Sequence, residues 1–488
     1  MTLSIADRVT PYRDSPATFA FYAEAHKAAV VCLEASGIVP TETARVIAKT
    51  LGAVLREHES PGSALSLDYV DLEARMIARM GPTASLLHLG RSRQDLLSAA
   101  NRNTLRDGLQ SVLAELVDAR GAILLLAEQH RSTVIPRYTH GVPAQPTTFG
   151  HYLLAYSEAF ARLHDDVEAA YRVVNRSPLG AAVLATSRFP IDRDRVAHLL
   201  GFEGIVENSY GANHVAPIDA IQSALHPLVV LALHVSQFAQ DVSAEQPVPH
   251  PWLTVRSGEL TGESSAMPQK RNPLVLEYLR KGAARILGAA NTMTFLAHNA
   301  SSGMTDSRDS VDLYPAEIAR DLLEMLAATV RALDVDQDEA EQRASADYST
   351  MTDVADLLFE QFAVPFRTGH RFASLLSDHG RAAGVDPASI PHAEVESIYR
   401  MVTGEPPPFD AAGFARAVSA REFVASRRGR GGPAAAEVDR MLTAHVALLE
   451  AHRHRVASIM SARQAARADL DAAFEALLTV SPTAQKEI

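Results

Sequence analysis

Apolar residues recur every three or four positions over several long stretches of the chain, which is the spacing of one face of an α-helix. The first stretch begins near Thr104, runs through RDGLQSVLAELVDARGAILLLAEQH and stops where three prolines cluster in IPRYTHGVPAQP. A second covers HYLLAYSEAFARLHDDVEAAYRVV, and further helices are predicted over about 217–243, 273–297 and 314–333. Five long helices separated by loops with Gly and Pro predict a helical bundle.

The composition of the chain also favours an all-α protein. Ala and Leu are abundant, aromatic residues make up 6% of the sequence, and no alternation of strands and helices is seen. Ala and Leu favour helices, whereas β-branched and aromatic residues favour strands. With 488 residues, the chain exceeds a single hydrophobic core, which stops growing at roughly 250–300 residues. We therefore expect two or three domains, or one elongated helical body.

Charge and cysteine content narrow the class of protein. The chain has 46 basic and 58 acidic residues, a net charge of −12, which argues against nucleic-acid binding because such proteins carry a basic surface. The single cysteine, Cys32, allows no intrachain disulfide and fits a reducing compartment. No signal peptide is predicted at the N-terminus. Residues 220–240 lack Asp, Glu, Lys and Arg, but polar residues such as His226 and Gln237 favour a buried bundle helix over a membrane span.

The segment GELTGESSAMPQKRNPLVLEYLRKG, residues 258–282, is the best candidate for a site with chemistry. Asn272 is a good helix N-cap, and Pro273 suits the first helical position. The positive end of the following helix then lies beside Lys270, in a place suited to a carboxylate. Ser264 precedes Lys270 on the same loop. A capped loop with two solvated serines fits the same spacing.

The motif SSAMPQKRNP resembles the signature loop GSSxMPxKxNP of the aspartase/fumarase superfamily, and its PQK form is similar to the argininosuccinate lyase branch. Glu263 stands where that family has Gly. Other segments resemble the branch in the same order: GRSRQD at 90–95, YTH at 138–140, AQP at 144–146 and the stretch 177–209. The resemblance covers roughly residues 80–465.

This resemblance implies an all-α, three-domain fold in which a central bundle of long helices forms the core of a homotetramer. The implied domains are residues 1–103 (N-terminal helical), 104–362 (central bundle) and 363–488 (small C-terminal helical). Each active site is expected to combine loops from three subunits and to bind a small substrate that contains a dicarboxylate. No cofactor, metal, nucleic acid or membrane partner is expected, and the expected location is the cytoplasm. His452 and His454 lack acidic or Cys partners at ligand spacing in the sequence.

The resemblance also implies the catalytic residues of an elimination that forms fumarate. Ser264 matches the base that removes the proton next to a carboxylate. Lys270 and Asn272 match the residues that hold the carboxylate whose charge increases. His140 matches the family histidine near the substrate, and Glu277 matches the carboxylate paired with it.

A further set matches positions that anchor the substrate or lie beside it. These residues are Ser92, Arg93, Gln94, Thr139, Gln145, Ser265, Met267 and Arg308, with Arg308 aligned only to within one residue. An arginine can bind a carboxylate through two hydrogen bonds. Ser92 also fits the role of N-cap for the next helix, with Asp95 three residues on.

The sequence departs from the branch mainly where the leaving group is recognised. Gln94 replaces an Asn, Val142 replaces a Gln, NSYGANHVAP at 208–217 lacks two acids and an arginine of the family pattern, and Tyr69 replaces a His. We therefore interpret the chain as a lyase for N-substituted aspartates that need not be argininosuccinate. The alternatives are a lyase like ethylenediamine-disuccinate lyase, a superfamily member with different chemistry such as a cycloisomerase, and a non-catalytic structural relative.

Overall fold

The protein is built almost entirely of helices. A computed structural model describes residues 16–58, 69–306 and 314–479. The N-terminal part contains α1 (Pro16–Ala35), α2 (Thr41–His58), α3 (Tyr69–Met80) and a 3-10 turn (Pro82–His88). The strands of the described residues are two or three residues long. The all-α prediction is confirmed.

Five long helices form the centre of the molecule, as the sequence pattern predicts. They are α4 (Arg93–Gln129), α5 (Phe149–Val174), α8 (Ala216–Glu245), α9 (Leu274–Ala297) and α10 (Tyr314–Arg331), with the short helices α6 (Arg193–Leu199) and α7 (Ser209–His214) between α5 and α8. Four of the five lie within two residues of their predicted bounds. The predicted start of α4 near Thr104 is wrong, because the buried polar residues Ser98, Arg102 and Asn103 interrupt the apolar pattern of its first turns.

The C-terminal part has shorter helices followed by one very long one. They are α11 (Gln337–Ala346), α12 (Met351–Phe362), α13 (Phe366–Ala383), α14 (His392–Thr403), α15 (Ala411–Ala417), α16 (Ala420–Ser426) and α17 (Ala435–Thr479). A short 3-10 turn, Pro387–Ser389, precedes α14.

Short strands join loops of the bundle in pairs. The antiparallel pairs are β1 (Val134–Ile135) with β4 (Thr147–Thr148), β2 (Tyr138–Thr139) with β3 (Val142–Pro143), β7 (Leu253–Val255) with β10 (Leu333–Val335) and β8 (Gly262–Glu263) with β9 (Arg271–Asn272). The parallel pair is β5 (Arg176–Ser177) with β6 (Gly204–Ile205).

Buried apolar residues of the described segments form a large central core, two smaller cores and a cluster of five residues around Phe423. The central core extends over the five long helices, the N-terminal core over α1 to the first turns of α4, and the C-terminal core over residues 348–418. Helix α17 contributes Leu449 to the central core and Phe474 to the N-terminal one. Helix α4 runs continuously across position 103. The domain bounds themselves stay predictions.

Helix α8 is the apolar helix singled out in the sequence. By length and composition it could cross a membrane, but half of its most apolar window is buried inside the protein. Leu228, Leu231 and Val235 belong to the central core. A core helix of a bundle has this composition because neighbouring helices cover most of its surface.

Candidate active site

The loop that carries Ser264 closes a short β-hairpin. Strands β8 and β9 pair in antiparallel register, and residues 264–270 connect them. The Ser264 hydroxyl oxygen accepts a hydrogen bond from the Met267 backbone amide at 3.1 Å, and the Lys270 amide donates to the Met267 carbonyl at 3.0 Å. Ser265, Met267 and Lys270 are exposed. The loop backbone is thus held by its own hydrogen bonds while these side chains face outward.

The hairpin leads directly into helix α9, but not with the predicted cap. Asn272 lies in β9, and Pro273 occupies the N-cap position without a side-chain cap, so the prediction that Asn272 caps the helix is wrong by one residue. Pairing with β8 keeps Asn272 extended. A Cβ at Gly262 would lie 2.7 Å from Leu274 Cδ1. Glycine therefore lets the hairpin approach the first turn of α9.

His140 lies at the tip of a second hairpin. Thr139 pairs with Val142 across β2 and β3, which leaves His140 and Gly141 as a two-residue turn with φ of 56° and 76°. Two central residues with positive φ define the turn type that fits the twist of a tight hairpin. Thr139, His140 and Gln145 are all exposed. The turn therefore presents the imidazole to the outside of the protomer.

A third group of site residues lies at the N-terminus of α4. Ser92 caps this helix, since its hydroxyl accepts from the Asp95 amide at 3.1 Å and donates to Asp95 Oδ1 at 2.9 Å. The Gln94 side-chain amide donates to Ser98 Oγ at 3.2 Å. The capping role suggested by the sequence is therefore present. The N-terminus of a helix also favours anionic groups.

The residue before Ser92 is a partly buried cation, Arg91, and nothing in the sequence indicated its partners. Arg91 Nη2 is 3.0 Å from His26 Nδ1 and 2.9 Å from His88 Nδ1, and the Tyr69 ring packs on His88 with centroids 3.8 Å apart. Because a guanidinium only donates, both Nδ1 atoms accept and both imidazoles are neutral. Burial and the adjacent Arg91 lower the pKa of His88 strongly. Tyr69, one of the residues that depart from the family pattern, is thus part of this cluster.

The loop between β5 and α6 has an unusual backbone. Ala182, Val183 and Thr186 have φ of 45°, 76° and 59°. The left-handed region costs a residue with a Cβ about 1–2 kcal/mol, and β-branched side chains tolerate it least. Added over the three residues, the strain stored in the loop is on the order of several kcal/mol. Sequence reasoning missed this feature, because nothing in SPLGAAVLATSRFP marks these positions as left-handed.

Helix α7 carries the segment that departs most from the family pattern. The Tyr210 hydroxyl lies 2.6 Å from Ser302 Oγ, and His214 Nδ1 lies 3.1 Å from the Ser302 carbonyl. The Ser209 hydroxyl donates to the Leu184 carbonyl at 2.8 Å. Helix α7 is thus fastened on one side to the strained loop and on the other to the segment before residue 307.

Within one protomer, the three groups of predicted site residues (the His140 hairpin, the Ser264 loop and the segment at Ser92) make no hydrogen bonds to one another among the described residues. The Glu277 carboxylate is 3.2 Å from Lys281 Nζ, one turn further along α9, rather than bound to His140. Arg308 lies outside the described residues.

One cluster offers potential metal ligands outside these groups. His164, Asp165 and His452 place ligand atoms within 4.8 Å of one another, and local spacing around His452 did not indicate these partners because His164 and Asp165 lie on a different helix. Arg120 Nη1 lies 2.6 Å from His452 Nδ1, so Nδ1 accepts and the proton sits on Nε2, which is 3.3 Å from Asp165. This tautomer offers a metal no Nε2 lone pair. The cluster is better described as two stacked, buried histidines beside an exposed carboxylate.

Comparison with known proteins identifies relatives along most of the chain. A family model described as lyase matches residues 37–288. Argininosuccinate lyase 2 of Agrobacterium fabrum is 33% identical over 423 residues, which cover 84% of this chain and 82% of the relative. Argininosuccinate lyase of Methanothermobacter thermautotrophicus is 30% identical over 415 residues, which cover 82% and 86%.

The fold is shared with a solved enzyme structure. EDDS lyase in complex with formate superposes with a TM-score of 0.89 at 27% identity, covering 98% of this chain and 99% of that chain. The family resemblance drawn from the motifs is therefore confirmed over nearly the whole molecule.

Proposed function

The chain belongs to the lyase family, in the argininosuccinate lyase branch of the aspartase/fumarase superfamily, and from this premise we propose its substrate and catalytic residues. As a member of this branch it is a carbon–nitrogen lyase that forms fumarate. We propose that its substrate is an N-substituted aspartate, which it splits by anti β-elimination into fumarate and an amine.

Ser264 is the proposed base, and its backbone contact is the observation that carries the proposal. The reaction removes a proton from the carbon next to a carboxylate, and a neutral serine hydroxyl is a poor base. The Met267 amide donates to Ser264 Oγ at 3.1 Å, and a hydrogen bond to the charged form of a group favours ionisation. Desolvation of the closed loop and the nearby Lys270 ammonium are proposed to complete the activation.

The other proposed roles follow from charge and position. Lys270 and Asn272 hold the substrate carboxylate that gains charge during proton removal, since cations and amide donors stabilise such an anion. His140 acts on the opposite face, oriented by Glu277. Because Glu277 contacts Lys281 within its own chain, this His–Glu pair is proposed to form between subunits.

The remaining residues are proposed to anchor the substrate. They are Ser92, Arg93, Gln94, Thr139, Gln145, Ser265 and Met267, with Arg308 as a candidate beyond the described residues. The positive N-terminus of α4 and the Arg93 guanidinium suit a carboxylate.

We propose a homotetramer in which three subunits contribute to each site. The pairing of Glu277 with Lys281 rather than with His140 in one protomer supports this arrangement. Large apolar side chains on the outer faces of α8 and α9 support it too: Leu233 is 54% exposed and Phe295 is 76% exposed. Apolar surfaces of this kind mark protein–protein contacts when they are contiguous. The cytoplasm is the proposed location. The single cysteine, Cys32, fits a reducing compartment, and burial raises the pKa of its thiol to about 12.

Two candidate substrates differ in the amine that the enzyme would release. Argininosuccinate is favoured by the curated relatives, and a diamine disuccinate by the structural similarity to EDDS lyase. The departures at Gln94, Val142 and 208–217 favour the second. A non-catalytic relative is disfavoured because Ser264, His140 and Lys270 are all present.

Fumarate release tests the proposal. Argininosuccinate, adenylosuccinate and diamine disuccinates are offered singly, and absorbance near 240 nm is followed. We expect fumarate from at least one of them and a loss of turnover of about 10²–10⁴-fold in Ser264→Ala. The matched control is Ser132→Ala, an exposed serine in the turn after α4 that has no proposed role in the site, which keeps parental activity. A fully active Ser264→Ala variant, or no fumarate from any substrate, would refute the proposal.

A further inference from the structure

The carboxylate of Asp95 is the meeting point of three segments near the substrate anchor. Asp95 is fully buried. Its Oδ1 accepts from Ser92 Oγ at 2.9 Å, from the Val183 amide at 3.0 Å and from Asn213 Nδ2 at 2.8 Å, and its Oδ2 accepts from the Ala182 amide at 2.8 Å. All four donors are neutral. A buried carboxylate with this number of donors fixes the position of each of them.

Two of these donors explain how the strained loop persists. Ala182 and Val183 are consecutive residues with positive φ, and both of their amides point at Asp95. Successive amides in this type of conformation form a concave site for an anion. Here the anion is supplied by the protein itself, so the Asp95 charge offsets the backbone strain of the loop.

The remaining donor extends the network to helix α7. Asn213 Nδ2 donates to Asp95 and also to the Val183 carbonyl at 3.2 Å, while Ser209 at the other end of the helix donates to the Leu184 carbonyl. Ser92, the strained loop and α7 are therefore joined in one hydrogen-bonded network. Helix α7 is also the segment in which the sequence departs from the family pattern at the leaving-group side.

We propose that Asp95 is a positioning residue of the lyase reaction: it holds Ser92, the 182–186 loop and α7 as one rigid wall against the leaving amine, and so sets the affinity and selectivity for that amine. The inference rests on the proposed function. Asp95 acts through its neighbours and does not touch the substrate. In the free protein Asp95 fixes the conformation of these segments. In catalysis its loss is therefore expected to weaken substrate binding, seen in KM, and to leave the chemical step, seen in kcat, nearly unchanged.

The test separates positioning from simple stabilisation. In Asp95→Asn an amide nitrogen replaces one carboxylate oxygen and cannot accept from the N–H donors that face it. The hydrogen bonds that hold Ser92, the loop and α7 together therefore weaken. We expect KM to rise by about tenfold or more with kcat changed less than about threefold. The ratio of kcat/KM for two N-substituted aspartates that differ only in the amine changes as well. The denaturation midpoint falls, because the strained loop no longer has its anionic acceptor.

A second variant adds Ala182→Gly and Thr186→Gly to Asp95→Asn. Glycine relieves the backbone strain at two of the three left-handed positions and leaves Val183 in place, so the midpoint returns part of the way towards the parental value while KM and amine selectivity remain altered. If KM returns together with the midpoint, Asp95 only stabilises the fold and the inference is wrong. Should Asp95→Asn fail to assemble, Asn213→Ala, which removes the bonds of Asn213 to Asp95 and to the Val183 carbonyl but keeps the bond of Ser209 to Leu184, is expected to change amine selectivity.

The outcomes also separate this inference from the proposed function. An active parent whose Asp95→Asn and Asn213→Ala variants keep parental KM and selectivity overturns the positioning role alone. A parent that releases no fumarate from any substrate overturns the proposed function, and the positioning role with it.

Discussion

Thr186→Gly should stabilise the protein, contrary to the usual effect of adding glycine. Thr186 is exposed and has φ of 59°. Replacing a β-branched residue there with glycine relieves about 1–2 kcal/mol of strain. Glycine also makes the unfolded chain more flexible, which costs roughly 0.5–1 kcal/mol. The difference lies between about 0 and 1.5 kcal/mol, with a central value of about 0.75 kcal/mol of net stabilisation per chain, and the exposed side chain leaves no cavity behind.

The neighbouring residue provides a matched control. Ala185 is exposed and does not have positive φ, so Ala185→Gly should bring only the flexibility cost and destabilise by about 0.4–1 kcal/mol. The two variants add glycine one residue apart and are expected to shift stability in opposite directions.

Calorimetry can resolve this difference when concentration and scan rate are fixed. An unfolding entropy of about 2.1 cal/mol/K per residue makes a shift of 1 kcal/mol equal to roughly 1 °C in Tm for a chain of this length. The direction of the Tm shift, rather than its size, distinguishes the two variants. If Thr186→Gly lowers Tm as Ala185→Gly does, the left-handed strain assigned to the loop is wrong.

Two further predictions concern pH and assembly. His164 and His452 are buried, and desolvation, followed by the charge of His452 for His164 and of Arg120 for His452, lowers their pKa to about 3 and about 4. The unfolded chain binds protons at these histidines below about pH 6.5, whereas the folded chain binds them only near the lowered pKa values. The stability present at pH 7 is therefore lost as the pH falls, by about 1–2 kcal/mol per histidine at about pH 5. Urea midpoints at both pH values check this, and a midpoint unchanged at the lower pH contradicts it. Leu233→Asp should dissociate the tetramer and abolish turnover, whereas Met401→Asp, at a 73% exposed position on α14, should leave both intact; sedimentation measures the first, and a fully active monomer would disprove the shared-site proposal.

The sequence was informative where local pattern and tertiary structure agree. Apolar spacing predicted four long helices closely, and the motif from Ser264 to Asn272 predicted a loop leading into a helix. The start of α4 was missed because Arg102 is a buried cation whose hydrogen-bond partners are far away in the sequence. Its guanidinium donates to the carbonyls of Val173, Val174 and Ala216. Periodicity in a single segment contains no information about such partners.

The same limit explains what was missed in the candidate site. Asp95 was interpreted as part of a capping box, and its capping contact is present, but its bonds to Ala182, Val183 and Asn213 depend on residues about 90 to 120 positions away. The contact between Arg120 and His452 spans 332 positions. Local spacing indicates which residue types can do chemistry, and packing decides which of them are engaged elsewhere.

Each of the three groups of the proposed site is held by contacts within its own protomer. Ser264 is held by the Met267 amide, His140 by a hairpin turn, and Ser92 by the buried Asp95. Joining groups that are already ordered costs less conformational entropy than folding them on contact. Assembly of the proposed tetramer then creates the site mainly by proximity, so activity should follow the tetrameric fraction in a single transition upon dilution rather than lag behind it.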